Sequence, residues 1–144
     1  MSNSLRVLLI VLLTLAALAR MDAASPASEV LQFSSPSRGI GCVYANFGTA
    51  SLRCDVRGGV VPLPARDPKC STEVDWGQGF VMGVTGQAKV VCAGDTAMGS
   101  NTIVAYGTTW RYAGFACASS TDGMRCTNKS GHGFFISRGQ AYRF

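Results

Sequence analysis

Phe115-Ala116-Cys117-Ala118-Ser119-Ser120-Thr121-Asp122-Gly123-Met124-Arg125-Cys126-Thr127 reads as one complete β-hairpin. Two short runs, Phe115 to Ala118 and Met124 to Thr127, flank Ser120-Thr121-Asp122-Gly123, whose Asp-Gly step supplies tight-turn chemistry. Folding the chain about Thr121-Asp122 sets Cys117 opposite Cys126. Side chains alternate along a strand, so Phe115, Cys117, Met124 and Cys126 then share one face. The hairpin thus predicts its own disulfide.

The same logic extends towards the amino terminus. Ile40 to Ala45 folds onto Ser51 to Arg57 about Gly48 and places Cys42 opposite Cys54. Cys70 and Cys92 are left to pair with each other, tying the Pro-rich loop Val60 to Lys69 to a strand. An even set of six cysteines, all beyond residue 40, suits a small domain in an oxidising compartment. Zinc is a poor alternative, because there is no Cys-x-x-Cys and His132 is the only histidine. No metal or other cofactor is expected.

Between these hairpins the 17 glycines punctuate every long segment, and no uninterrupted apolar face of helical period survives. Further strands are expected around Leu31-Gln32-Phe33 and at Gly79 to Val84, Ala88 to Ala93, Thr102 to Tyr106, Thr109 to Tyr112, Gly133 to Ser137 and Ala141 to Phe144. The fold class is therefore all-β or nearly so: a small antiparallel sandwich or barrel of about 8–10 short strands with three disulfides. Trp110-Arg111-Tyr112 and Tyr142-Arg143-Phe144 both read as strand residues with aromatics in the core and arginine outside. No internal repeat can be aligned.

The first residues have a different character. Met1 to Arg6 is a short polar start, and Val7 to Ala19 is an almost unbroken apolar run of 13 residues. A spanning helix needs roughly 20, so the run fits the core of an export signal. Cleavage is expected between residues 19 and 27, after Ala17-Leu18-Ala19 or after Ala23-Ala24. The expected organisation is a signal over 1–24, a leader over 25–32 and one disulfide-stapled domain over 33–144, with no membrane span after cleavage. From Ser25 onward 11 basic and seven acidic residues give a net charge of +4. The charges are scattered, without the basic stripe that nucleic acid requires. Weak attraction to anionic envelope polymers is the remaining electrostatic expectation.

Groups able to do chemistry are few. His132, between Gly131 and Gly133, is the one conventional acid/base candidate. A Ser/His/Asp set could be drawn from Ser130 or Ser137, His132, and Asp95 or Asp122, but no Gly-x-Ser-x-Gly elbow supports it. No catalytic residue is assigned. Asp95 suits an Asx turn better than a calcium loop shared with Asn101. Glu73 and Asp75 beside Trp76 lie too close in sequence to flank a glycosidic bond. Asn128-Lys129-Ser130 is a glycosylation sequon. Trp76, Tyr106, Asp95, His132 and Arg138 remain as candidate binding residues.

Phe33-Ser34-Ser35-Pro36-Ser37, Ile40-Gly41-Cys42, Arg53-Cys54-Asp55, Cys92-Ala93-Gly94-Asp95-Thr96, Tyr106-Gly107 with Trp110, Cys126-Thr127-Asn128 and Gly131-His132-Gly133-Phe134-Phe135-Ile136-Ser137-Arg138 together resemble a family of small exported bacterial domains, common in actinobacteria, that is a domain of unknown function. The resemblance spans Phe33 to Phe144. One departure is Arg38-Gly39, where that pattern leads one to expect Gly-Asn before the isoleucine. The resemblance implies a bacterial, extracytoplasmic protein and supplies no activity.

Three functions compete at this point. A non-catalytic secreted or envelope binding module, contacting an envelope polymer or a secreted protein, is favoured. The others are an inhibitor of a secreted lysozyme or protease, inserting the loop Val61 to Lys69, and a hydrolase using His132.

Overall fold

The computed structural model describes residues 27–144, so the expected export signal over 1–24 lies outside the described residues. Ten strands follow: β1 (Glu29–Ser34), β2 (Ile40–Asn46), β3 (Ala50–Val56), β4 (Asp75–Gly83), β5 (Lys89–Ala93), β6 (Thr109–Tyr112), β7 (Phe115–Ser120), β8 (Gly123–Thr127), β9 (Gly133–Ile136) and β10 (Ala141–Arg143). They form two five-stranded antiparallel sheets, β1 to β5 and β6 to β10, each a simple meander and neither closed into a barrel. No helix occurs among the described residues.

The hairpin that opened the sequence reading forms as expected. Ser120 faces Gly123, Ala118 faces Arg125, and Cys117 faces Cys126. On the first sheet Cys42 faces Cys54 in the same way. All three expected disulfides are present: Cys42–Cys54, Cys70–Cys92 and Cys117–Cys126.

The sheets pack face to face over a core that includes Phe33, Tyr44, Leu52, Phe80, Met124, Phe134 and Ile136. Side chains of this size each contribute about 1.5–3 kcal/mol when fully removed from water.

Contrary to the sequence reading, there is an internal repeat. Across the first sheet one row of paired residues runs Phe33, Cys42, Cys54, Phe80, Val90. Across the second the matching row runs Trp110, Cys117, Cys126, Phe134, Arg143. Equivalent residues then meet between the layers. Phe33 stacks on Trp110 at 4.5 Å, Phe80 packs on Phe134 at 5.6 Å, and the Sγ atoms of Cys54 and Cys126 are 3.8 Å apart. This is the arrangement produced by a two-fold axis lying between the sheets along the row. Leu52-Arg53-Cys54 and Met124-Arg125-Cys126 occupy equivalent places, as do Gly79-Phe80 and Gly133-Phe134. The loops between these short anchors differ in length, which hid the repeat from a linear reading.

Two further expectations are corrected. Thr102 to Tyr106 is not a strand; Ile103 makes a single bridge to Ser34. The segment is pinned first to β1, through Ser34 N–H to the Thr102 carbonyl, and then to β7, through Gly107 N–H to the Ser119 carbonyl. Neither pairing lasts long enough to make a ladder. The triplet Tyr142-Arg143-Phe144 is inverted. Tyr142 pairs with Phe135 and stacks on it at 5.4 Å on the outer face, where Arg125 covers the Phe144 ring at 3.8 Å. Arg143 takes the core-facing register opposite Phe134. That register is tolerable because β10 is an edge strand: the guanidinium leaves the core by donating to the Ala88 carbonyl at 3.2 Å. The first triplet holds in part, with Trp110 half-buried and Arg111 exposed, but Tyr112 is 38 % exposed.

Candidate functional site

Loops longer than a fold requires are where function concentrates. The repeat identifies them. Residues 128–132 suffice to join β8 to β9, whereas the equivalent β3–β4 connection runs over residues 57–74. The segment 94–108 carries the chain from the first sheet to the second. The first long loop and the start of the second, at Thr96 and Met98, line a cleft of about 610 Å³ together with Val60, Leu63, Asp75, Trp76 and Gln78.

Beneath this cleft lies a charged network built on β3. Asp55 is 1 % exposed and accepts hydrogen bonds from Arg53 Nε and Nη2 (2.8 Å each), Ala97 N–H (2.8 Å) and Thr96 Oγ1 (3.2 Å). The flanking positions on β2 and β4 are Gly41 and Gly79, which leave room for it. A Cβ at Gly41 would lie 2.5 Å from the Ala97 carbonyl oxygen, so this glycine admits the covering segment. Arg53 also binds Asp95 through Oδ1 (2.7 Å) and its carbonyl (2.8 Å). Burial opposes the arginine's charge, but its hydrogen bonds to Asp55 and Asp95 outweigh this and raise its pKa. The hydrogen bond from Arg53 holds the Asp95 carboxyl below its usual range. In the second half Arg125 and Thr127 replace Arg53 and Asp55, and no such network forms among the described residues.

Trp76 is positioned by a bulge. The β4–β5 register shifts between Trp76 and Phe80, and Gly77 adopts φ +83°. The half-buried indole donates from Nε1 to the Pro64 carbonyl at 2.9 Å. On its other side opens a cleft of about 730 Å³, lined by Arg66, Lys69, Lys89, Arg143, Asp67 and the Cys70–Cys92 disulfide. No salt bridge engages these four cations among the described residues. The loop that separates the two clefts is well braced. Val60 N–H binds the Gly77 carbonyl at 2.8 Å, and the Val61 carbonyl accepts from Ala141 N–H at 2.7 Å.

The five candidate residues do not converge. Trp76 lines both of these clefts, and Asp95 joins the network beneath the first of them through Arg53. Tyr106 and Arg138 share a separate cleft of about 350 Å³ with Asp122. His132 and Arg138 flank opposite ends of β9. The turn that carries His132 is explained by packing. Gly131 needs φ +78°, and a Cβ at Gly133 would lie 2.0 Å from the Cys126 carbonyl oxygen. Ser130 Oγ accepts from Gly86 N–H and donates to Asn128 Oδ1, while Ser137 Oγ is engaged with Gln140. Neither serine bonds the histidine among the described residues. Asn128 is 7 % exposed and donates both amide protons, to the Gly83 and Gly86 carbonyls, so its side chain joins the two halves. Sequence reasoning missed Arg53, Lys69 and Lys89. The Arg53-x-Asp55 spacing on one strand face was the signal available for the first of these.

Three disulfides in a domain of this size are compatible with an extracellular or envelope location. No curated protein and no solved structure is significantly similar to the chain. A family model does match, over residues 8–144, and the protein accordingly belongs to DUF6636, a family of unknown function.

Proposed function

We propose that this is an exported bacterial protein acting as a non-catalytic binding module, with its contact face around Trp76 and an anionic envelope polymer as its partner. What carries the proposal is that the loop 57–74, Thr96 and Met98, and four cations without carboxylate partners among the described residues gather about one tryptophan. An indole beside cationic side chains suits a chain of acidic sugars or phosphates. The bracing of the loop lowers the entropy lost on binding.

The test is retention on immobilised anionic envelope polymer. Oxidised protein should be retained at low salt and released as salt screens the charges. Lys69→Glu with Lys89→Glu should abolish retention while leaving the disulfides intact. Retention no greater than that of reduced, unfolded protein would refute the proposal.

One observation favours a second reading, an inhibitor of a secreted enzyme. Val61 and Leu63 are 44 % and 61 % exposed on the braced loop, apolar side chains able to enter a groove. Unchanged lysozyme and protease rates at micromolar protein would exclude the enzymes tested. For a hydrolase, His132 has no serine or carboxylate partner among the described residues, and nothing further supports it.

A further inference from the structure

The three disulfides differ in surroundings. Cys42, Cys54, Cys117 and Cys126 are each 0 % exposed. Cys92, by contrast, is an exposed residue of the edge strand β5, and its partner Cys70 is 6 % exposed. Arg66 Nη1 lies 3.4 Å from Cys70 Sγ. The guanidinium is held there by the carbonyls of Ser71 at 2.8 Å and Val74 at 3.2 Å. Lys69 and Lys89 line the same cleft. A sulfur on an exposed residue is thus joined to one whose thiolate would be born beside a fixed cation, in a cleft also lined by Lys69 and Lys89.

We propose that Cys70–Cys92 is a thiol-exchange site. An external thiolate attacks Cys92 Sγ and forms a new S–S bond with it. The Cys70–Cys92 bond breaks, and its electron pair leaves on Cys70 as a thiolate paired with Arg66. No net oxidant or reductant is consumed in this step, because the attacking thiolate becomes half of the mixed disulfide. Neighbouring positive charge lowers a thiol's pKa, and a leaving thiol of lower pKa departs faster. The core disulfides are fully buried, and among the described residues no cation bonds their sulfurs. Exchange would release the tie between residues 57–74 and β5, loosening one wall of the Trp76 clefts without unfolding the sandwich. The chemistry does not depend on what those clefts bind.

The oxidised full chain would be incubated with reduced glutathione, quenched by alkylation and mapped by mass spectrometry under non-reducing conditions. The glutathione adduct should appear on Cys92, with the alkyl label on Cys70 and the other four cysteines still paired. Arg66→Gln should slow adduct formation about three- to tenfold, and Arg66→Lys should restore most of the rate. Adducts mainly on Cys70, opening of the core disulfides as fast as this one, or an unchanged or faster rate in Arg66→Gln would overturn the proposal. The position of the adduct in the unsubstituted protein requires no variant to fold.

Discussion

The Sγ atoms of Cys54 and Cys126 are in contact at 3.8 Å, each at the same register position of its own sheet. Both sulfurs are disulfide-bonded and carry no proton, so the contact is one of dispersion. Two cross-strand disulfides therefore occupy one shared volume at the centre of the sandwich. Each staples a local hairpin, and together they form part of the surface along which the two halves meet.

Removing either pair, Cys42→Ala with Cys54→Ala or Cys117→Ala with Cys126→Ala, should lower stability by about 2–5 kcal/mol. Removing both should depart from additivity by on the order of 0.5–3 kcal/mol, because the two cavities adjoin and collapse together. Urea unfolding of the three variants measures this. Additivity within about 0.3 kcal/mol would show that the disulfides act independently.

Gly79 and Gly133 are equivalent positions under the same constraint. A Cβ would lie 1.8 Å from the Cys54 carbonyl oxygen at Gly79 and 2.0 Å from that of Cys126 at Gly133. Backbone on the neighbouring strand cannot swing aside as a side chain can. Gly79→Ala and Gly133→Ala should each cost more than about 3 kcal/mol, while Gly139→Ala, which meets nothing within 4 Å, should be close to neutral. Thermal unfolding distinguishes these outcomes. A mild effect at Gly133 would reopen a ligand-based explanation of Gly131-His132-Gly133.

What was legible in the sequence was local. Asp122-Gly123 and Gly48 set hairpins whose folding alone aligns Cys117 with Cys126 and Cys42 with Cys54, and the third pair followed by elimination. The candidate site was not legible in this way. Asp95 reaches Arg53 from 42 residues along the chain, through a segment with no repeating pattern. The role of Arg143 was misread because alternation gives two faces of a strand but not which one is the core. At a three-residue edge strand the hydrophobic evidence is too short to decide.

Asp55 should be the most sensitive charged residue. Asp55→Ala leaves Arg53 without its two-pronged partner and frees Thr96 and the Ala97 N–H, at a cost of about 3–5 kcal/mol. Asp55→Asn keeps the shape and should cost less. Proteolysis would report the same loss locally, with new cleavage within residues 94–98. A near-neutral Asp55→Ala would mean that this segment is held by other contacts.

Asp95 makes the attachment of that segment pH-dependent. Its pKa is lower in the folded state because Arg53 donates to it. Its contribution is therefore complete above the ordinary carboxylate value of about 4 and is lost as pH falls through the lowered folded value. Asp95→Asn should flatten the acid limb of the stability profile below about pH 4 by a small amount, no larger than the contribution Asp95 makes at neutrality, because the side chain is 83 % exposed. An unaltered acid limb would place the titration elsewhere.

Arg38 is a non-glycine residue in the left-handed region, with φ 54°. An L-residue in that region costs roughly 1–2 kcal/mol through its Cβ. The turn needs the conformation, since Arg38 N–H donates to the Ser35 carbonyl at 2.9 Å and the Arg38 carbonyl accepts from Arg57. The side chain gives back only an exposed hydrogen bond from Nη1 to Asn101 Oδ1 at 3.1 Å. Arg38→Gly should therefore raise stability by about 0.5–1 kcal/mol, the removed strain being partly offset by the greater freedom of glycine in the unfolded chain. Arg38→Ala loses the same hydrogen bond yet keeps the Cβ, so it should fall below the unsubstituted protein. The order glycine, arginine, alanine in chemical denaturation assigns the effect to backbone strain; alanine matching or exceeding glycine would assign it to the side chain instead.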